Sequence, residues 1–122
     1  ELLFRLTDAM VSLMAQDASA PWAQLILREQ QAPTAAFGVL YDGFMGRMLD
    51  LFTKLVERIV SKNSRGNARL MVVTILGQIL AIRAARAGIL RHLGWTSISP
   101  EGLAALQAQI RRNVTAQLSF SE

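Results

Sequence analysis

Two charges on apolar helical faces are the residues best placed to do chemistry in this chain of 122 residues. Glu29 shares a face with Trp22, Leu25 and Ile26, and Arg83 projects into a stripe formed by Leu76, Ile79 and Leu90. An ionised group taken out of water is costly unless a partner compensates it. Two readings follow: a structural Glu29–Arg83 pair, or one of the two meeting a ligand. A third feature is the stripe of Phe37, Tyr41, Phe44, Met45 and Met48. It is either plain core or the wall of an apolar, Met-lined pocket with one hydroxyl at Tyr41. The candidate ligand-binding set is therefore Trp22, Ile26, Glu29, Phe37, Tyr41, Phe44, Met45 and Arg83.

Catalysis has less to work with. The single histidine, His92, falls at a helix end, where the backbone dipole favours a cation. The absence of cysteine removes disulfides and thiolate metal sites, and one histidine builds no metal-binding spacing. No glycine-rich phosphate loop follows a strand, and no local signature unites Ser, Asp and His into a triad. The expectation is no catalytic residue, no metal and no cofactor.

Composition points to buried or partnered surface. Apolar residues make up 52% and charged residues 18%, a balance richer in apolar groups than a typical soluble monomer. A membrane span is not expected: Thr74 and Gln78 interrupt the apolar run 70–82, which Arg69 and Arg83 bracket. Arg5 and Asp8 break the apolar start, so no secretory signal is visible. The net charge of +4 comes from 13 basic and 9 acidic residues. Arg58, Lys62, Arg65 and Arg69 surround a loop, while Arg83, Arg86 and Arg91 follow a helix. That is too dispersed for a nucleic-acid surface. The lack of cysteine fits a cytoplasmic protein. Glu1 enters an amphipathic run with no initiator Met, which suggests a segment with something missing ahead of it.

Five helices must position these residues, in a single domain covering 1–122. Leu2, Leu6, Met10, Leu13 and Met14 recur at helical spacing across 2–16, before a break at Asp17, Ser19 and Pro21. The second helix covers 21–31 and ends before Pro33. The third runs unbroken over 34–61, followed by a polar loop, Lys62–Asn67, that contains Gly66. The fourth spans 68–93 with Gly94 as a left-handed cap and Trp95 folded back on Leu90. The fifth, 100–118, starts at Ser99-Pro100-Glu101 and carries a seam of Leu103, Leu106, Ile110, Val114 and Leu118.

The fourth helix is apolar nearly all round, so it is buried on more than one side. At about 100° per residue, Val72, Leu76, Ile79, Leu80 and Leu90 share a bulky face. Gly77, Ala81, Ala84, Ala85 and Gly88 share a small one. Interior glycines cost about 1 kcal/mol each against alanine, which suggests close helix packing. The partner is either the fifth helix or a second copy of the chain. The second copy is preferred, closing a two-fold, four-helix interface through Gly77, Ala81, Ala84, Ala85, Gly88, His92, Leu103, Leu106, Ile110 and Val114.

Two segments carry a family resemblance. One reads Arg28-Glu29-Gln30, Pro33-Thr34, Phe37 and Tyr41; the other Gly77-Gln78, Arg83, Arg86, Leu90, Arg91 and Leu93-Gly94-Trp95. From about Trp22 to Val114 the chain resembles the C-terminal domain of the CecR-type subgroup of TetR-family transcriptional regulators. That resemblance implies an all-α, five-helix regulatory domain that binds a small-molecule effector and homodimerises through its last two long helices. It also implies an N-terminal helix-turn-helix domain, absent from this chain, as the only part that binds DNA. The effector would act by population shift, changing the spacing of two DNA-binding heads. The alternatives are a helical protein–protein interaction module without a ligand and, on weaker grounds, a bundle at a membrane surface.

Overall fold

α1 (Leu2–Ala15) turns Leu3, Thr7, Val11 and Met14 inward at steps of three and four, the spacing of one helical face. The computed structural model describes residues 2–17, 20–60 and 67–119, and among these every regular element is helical. Ser19, Lys62, Arg65 and Gly66 lie outside the described residues. α2 (Ala20–Gln31) follows the first break and buries Ala23, Ile26 and Glu29.

The expected third helix is continuous in direction but changes winding. α3 (Ala35–Leu40) passes into a π-helical turn (Tyr41–Met45) and then α4 (Gly46–Ile59). The Gly46 N–H donates to the Tyr41 carbonyl, five residues back. Glycine is required there: a Cβ at Gly46 would lie 2.9 Å from that carbonyl oxygen and 3.0 Å from the Tyr41 ring. The wide turn shifts the helical phase, so residues before it do not continue the face that follows. Phe52 and Val56 are buried after the turn, whereas Val39, Tyr41 and Phe44 are exposed.

The fourth helix corrects the sequence reading. It breaks into α5 (Ala68–Ala84) and α6 (Arg86–Leu93), bent by 81° at Ala85. α5 sits at the centre, with Val72, Ile75, Ile79 and Ile82 packed among α1, α4 and the last helix. Ala85 leaves the helical region at φ −112°, ψ 27°, with no proline or glycine to mark the place. Gly94 ends α6 in the left-handed region at φ 74°, and the Trp95 N–H donates to the Leu90 carbonyl at 2.9 Å, closing the cap as expected.

α7 (Pro100–Ser119) begins where Ser99 Oγ accepts from the Gly102 N–H at 3.0 Å. The Trp95 ring lies so close to Gly102 that a Cβ there would meet it at 3.0 Å. α7 lies along α1 and α5, burying Ile110, Val114 and Leu118. Arg111 anchors it by donating to both Asp8 carboxylate oxygens, the shortest contact being 2.6 Å, while its guanidinium covers the Phe4 ring. Among the described residues no single helix is long and apolar enough to cross a membrane; α5 and α6 pass that test only together, across their bend.

Candidate functional site

The bend at Ala85 brings two arginines to one helix end. Arg83 Nη2 donates to the Gln16 carbonyl at 2.8 Å, and Arg86 Nη1 donates to the Ala15 carbonyl at 3.1 Å. Arg86 Nη2 also pairs with Asp17 Oδ1 at 3.1 Å. The last carbonyls of a helix lack intrahelical partners and carry partial negative charge, so the guanidinium groups cap α1. Burial, and then the neighbouring Arg86 charge, push the Arg83 guanidinium below its ordinary value, while Asp17 pulls the other way. Arg83 Nε is buried without a hydrogen-bond partner.

Beside this cap a cleft of about 610 Å³ opens between α2 and the α5–α6 bend. α2 contributes Gln24, Leu27, Arg28 and Gln31; the other wall contributes Arg83, Ala84, Arg86, Ala87 and Leu90. Sequence reasoning placed Arg83 near a ligand but missed Arg28 and Arg86 as its neighbours. The signal was present in the three-residue spacing of Arg83 and Arg86 and in Arg28 ending the second helix, yet bringing them together requires the bend.

The Glu29–Arg83 pair is not formed. Glu29 is 1% exposed, and its carboxylate accepts from the Thr34 N–H at 2.8 Å and from Thr34 Oγ at 3.0 Å. Pro33 breaks the chain after α2, so the N-cap of α3 turns back on the last turn of α2 and satisfies the buried acid locally. Thr34 Oγ in turn accepts from the Ala36 N–H at 3.2 Å. Glu29 therefore clasps α2 to α3, and Arg83 serves α1.

The aromatic set forms a ridge instead of an enclosed wall. Trp22 meets Phe44 edge-on with centroids 6.1 Å apart, and Phe37 stacks at a tilt on Tyr41 at 5.9 Å. Gln30 Nε2 donates to Met45 Sδ at 3.2 Å, fastening the π-helical turn to α2. Ile26 is buried, but Trp22, Tyr41 and Phe44 are each about two-fifths exposed. The phase shift of the wide turn rotates this stretch outward.

The residues expected at a dimer seam divide. Ala85, Gly88, His92, Leu106 and Ile110 line one apolar groove of about 580 Å³ between α5–α6 and α7, with Ile82, Ile89 and Leu93. Ala84 instead faces the arginine cleft, because the bend ends the common helical register. Val114 is completely buried in this chain's own core and has no surface to offer a second copy. Ile110 is also mostly core, at 6% exposure. Ala81 and Leu103 are half-buried. The helix seam read along 103–118 is thus largely an intramolecular contact with α1 and α5. Gly77 and Gly88 behave differently: both are exposed, and a Cβ at either would meet nothing within 4 Å. Among the described residues, no close approach inside this chain accounts for them.

Residues 1–119 match the family described as "HTH-type transcriptional dual regulator CecR, C-terminal domain". The chain is also 29% identical over 103 residues to the HTH-type transcriptional dual regulator CecR of Shigella flexneri. That similarity covers 83% of this chain and 46% of the relative, so the chain spans about half the length of the curated protein it matches.

Proposed function

This chain belongs to the CecR C-terminal domain family of transcriptional regulators, and from that premise we propose that it is the half of a regulator that dimerises and senses an effector. As a regulatory domain it carries no chemical step of its own. Its partner is a second copy, docked along the apolar groove between α5–α6 and α7. A helix-turn-helix segment N-terminal to this chain makes the DNA contact, and the protein acts in the cytoplasm. The observation that carries dimerisation is the coincidence of that groove with Gly88, whose α-carbon faces open space in the isolated chain. A helix from a second copy would fill the space, with the two-fold symmetry expected of a homodimer.

Sensing has a different basis. Clefts of a few hundred Å³ between helices are the usual size and place for small ligands, and the chain opens one against α2. An effector bound there would shift the balance between two arrangements of α2 and the α5–α6 bend, to the extent that it binds one arrangement more tightly. Sedimentation velocity on the intact protein tests the dimer: a monomer at micromolar concentration would end that part of the proposal. A ligand-free interaction module is the second reading, supported by the exposed ridge of Trp22, Tyr41 and Phe44.

A further inference from the structure

We infer that the cleft between α2 and the α5–α6 bend is a binding site for a small organic carboxylate with an apolar body. This deepens the effector reading and rests on it for the regulatory consequence, although the binding stands on the cleft's own chemistry. Arg28 enters from α2, while Arg83 and Arg86 enter from either side of the bend. Among the described residues, no acidic one lines the cleft. The acids nearby are engaged: Asp17 holds one edge of Arg86, and the Glu29 carboxylate is taken by Thr34. Arg28 makes no side-chain hydrogen bond or ion pair among the described residues. Arg83 Nε has no hydrogen-bond partner, and desolvation and then the Arg86 charge disfavour the ionised guanidinium, with Asp17 opposing them in part.

An anion seated among these groups would relieve like-charge repulsion, because an opposite charge within a few ångströms favours the ionised form. A carboxylate suits the planar fork of a guanidinium, which can grip both oxygens at once. A bare inorganic ion would leave the rest of the cleft poorly used, since Leu27 and Leu90 face the same space. A molecule bearing one carboxylate and a short hydrocarbon body satisfies both halves. The volume of about 610 Å³ accommodates a molecule of that size.

The test is calorimetric titration of the intact protein at low salt with octanoate, octanol and inorganic phosphate as probes, repeated on Arg28→Gln. Octanoate should bind at least about tenfold tighter than octanol or phosphate, and Arg28→Gln should lose about tenfold in octanoate affinity while octanol binding stays unchanged. Arg28 holds no other side chain in place, so the variant should melt like the parent; Arg28→Lys, which keeps the charge but loses the fork, should fall between the two. Octanoate binding no better than octanol, or binding indifferent to Arg28→Gln, would overturn the carboxylate grip. Phosphate matching octanoate would overturn the apolar half. A monomer that still prefers octanoate through Arg28 would lose only the dimer reading, and a dimer without that preference would lose only this inference.

Discussion

Replacing Gly88 with leucine should push folding and dimerisation in opposite directions. In the isolated chain a Cβ at this position meets nothing within 4 Å, so the monomer has room for the new side chain. Glycine inside a helix is less favourable than leucine by about 0.8 kcal/mol, so the substitution should stabilise the monomer by up to that amount. A second helix packed over Gly88 would instead be forced away. Overpacking a tight contact costs about 1–3 kcal/mol per side chain. Two-fold symmetry places the substitution on both partners, so the dimer should lose about 2–6 kcal/mol. Even the lower figure weakens association about thirtyfold. Sedimentation equilibrium measures the dimer constant, and urea unfolding below that concentration measures the monomer. A dimer of unchanged strength would show that Gly88 is not at the seam. A monomer destabilised by the leucine would show that the glycine serves this chain's own fold, and either result refutes the argument.

Other perturbations separate the roles of the charged residues. Glu29→Ala should destabilise the fold by about 2–4 kcal/mol, because it strips the buried acceptor from the Thr34 N–H and hydroxyl, whereas Glu29→Gln should cost under about 1 kcal/mol since an amide can still accept; denaturant titration distinguishes them. Arg83→Ala and Arg86→Ala should each cost about 1–2 kcal/mol through the exposed carbonyls at the end of α1, seen as faster hydrogen exchange in the last turn of that helix. Asp8→Asn should cost about 0.5 kcal/mol and lose its effect in high salt, because the Asp8–Arg111 pair is partly exposed; a chemical melt at two ionic strengths checks this. Gly46→Ala should be destabilised by about 1–3 kcal/mol, since the added methyl meets backbone across the π-helical turn; a thermal melt no lower than the parent's would contradict it.

The all-helical architecture was legible because helix signals are local. Ser99 and Pro100 announce the start of α7, Gly94 announces the end of α6, and Pro33 separates α2 from α3, each through backbone geometry that only a few residues influence. The recurrence of Leu2, Leu6, Met10, Leu13 and Met14, and of Val72, Leu76, Ile79, Leu80 and Leu90, announced apolar faces, but packing turned them: α1 buries Leu3, Val11 and Met14 and leaves Leu2 exposed, and α5 buries Ile75 and Ile82 beside Val72 and Ile79. The need to neutralise Glu29 and Arg83 was equally legible, since both fall among apolar neighbours.

Which partner each charge takes was decided by tertiary structure. Thr34 reaches Glu29 because the α2–α3 break folds one helix start onto another helix end, and the carbonyls of α1 reach Arg83 from a segment 67 positions earlier in the chain. Neither contact follows from periodicity, which orders residues around one axis and is silent about where a second axis passes. The same limit explains the two departures in shape. Ala85 carries no breaking residue, and the bend there lets Arg83 and Arg86 cap α1 together; the π-helical turn after Leu40 rotates the aromatic stripe into solvent. The two charges that drew notice first in the sequence take partners other than each other, Glu29 with Thr34 and Arg83 with the Gln16 carbonyl. Their assignment to helix-end duties, and the grouping of Arg83 with Arg28 and Arg86 around one cleft, arise only when three helices are packed against one another.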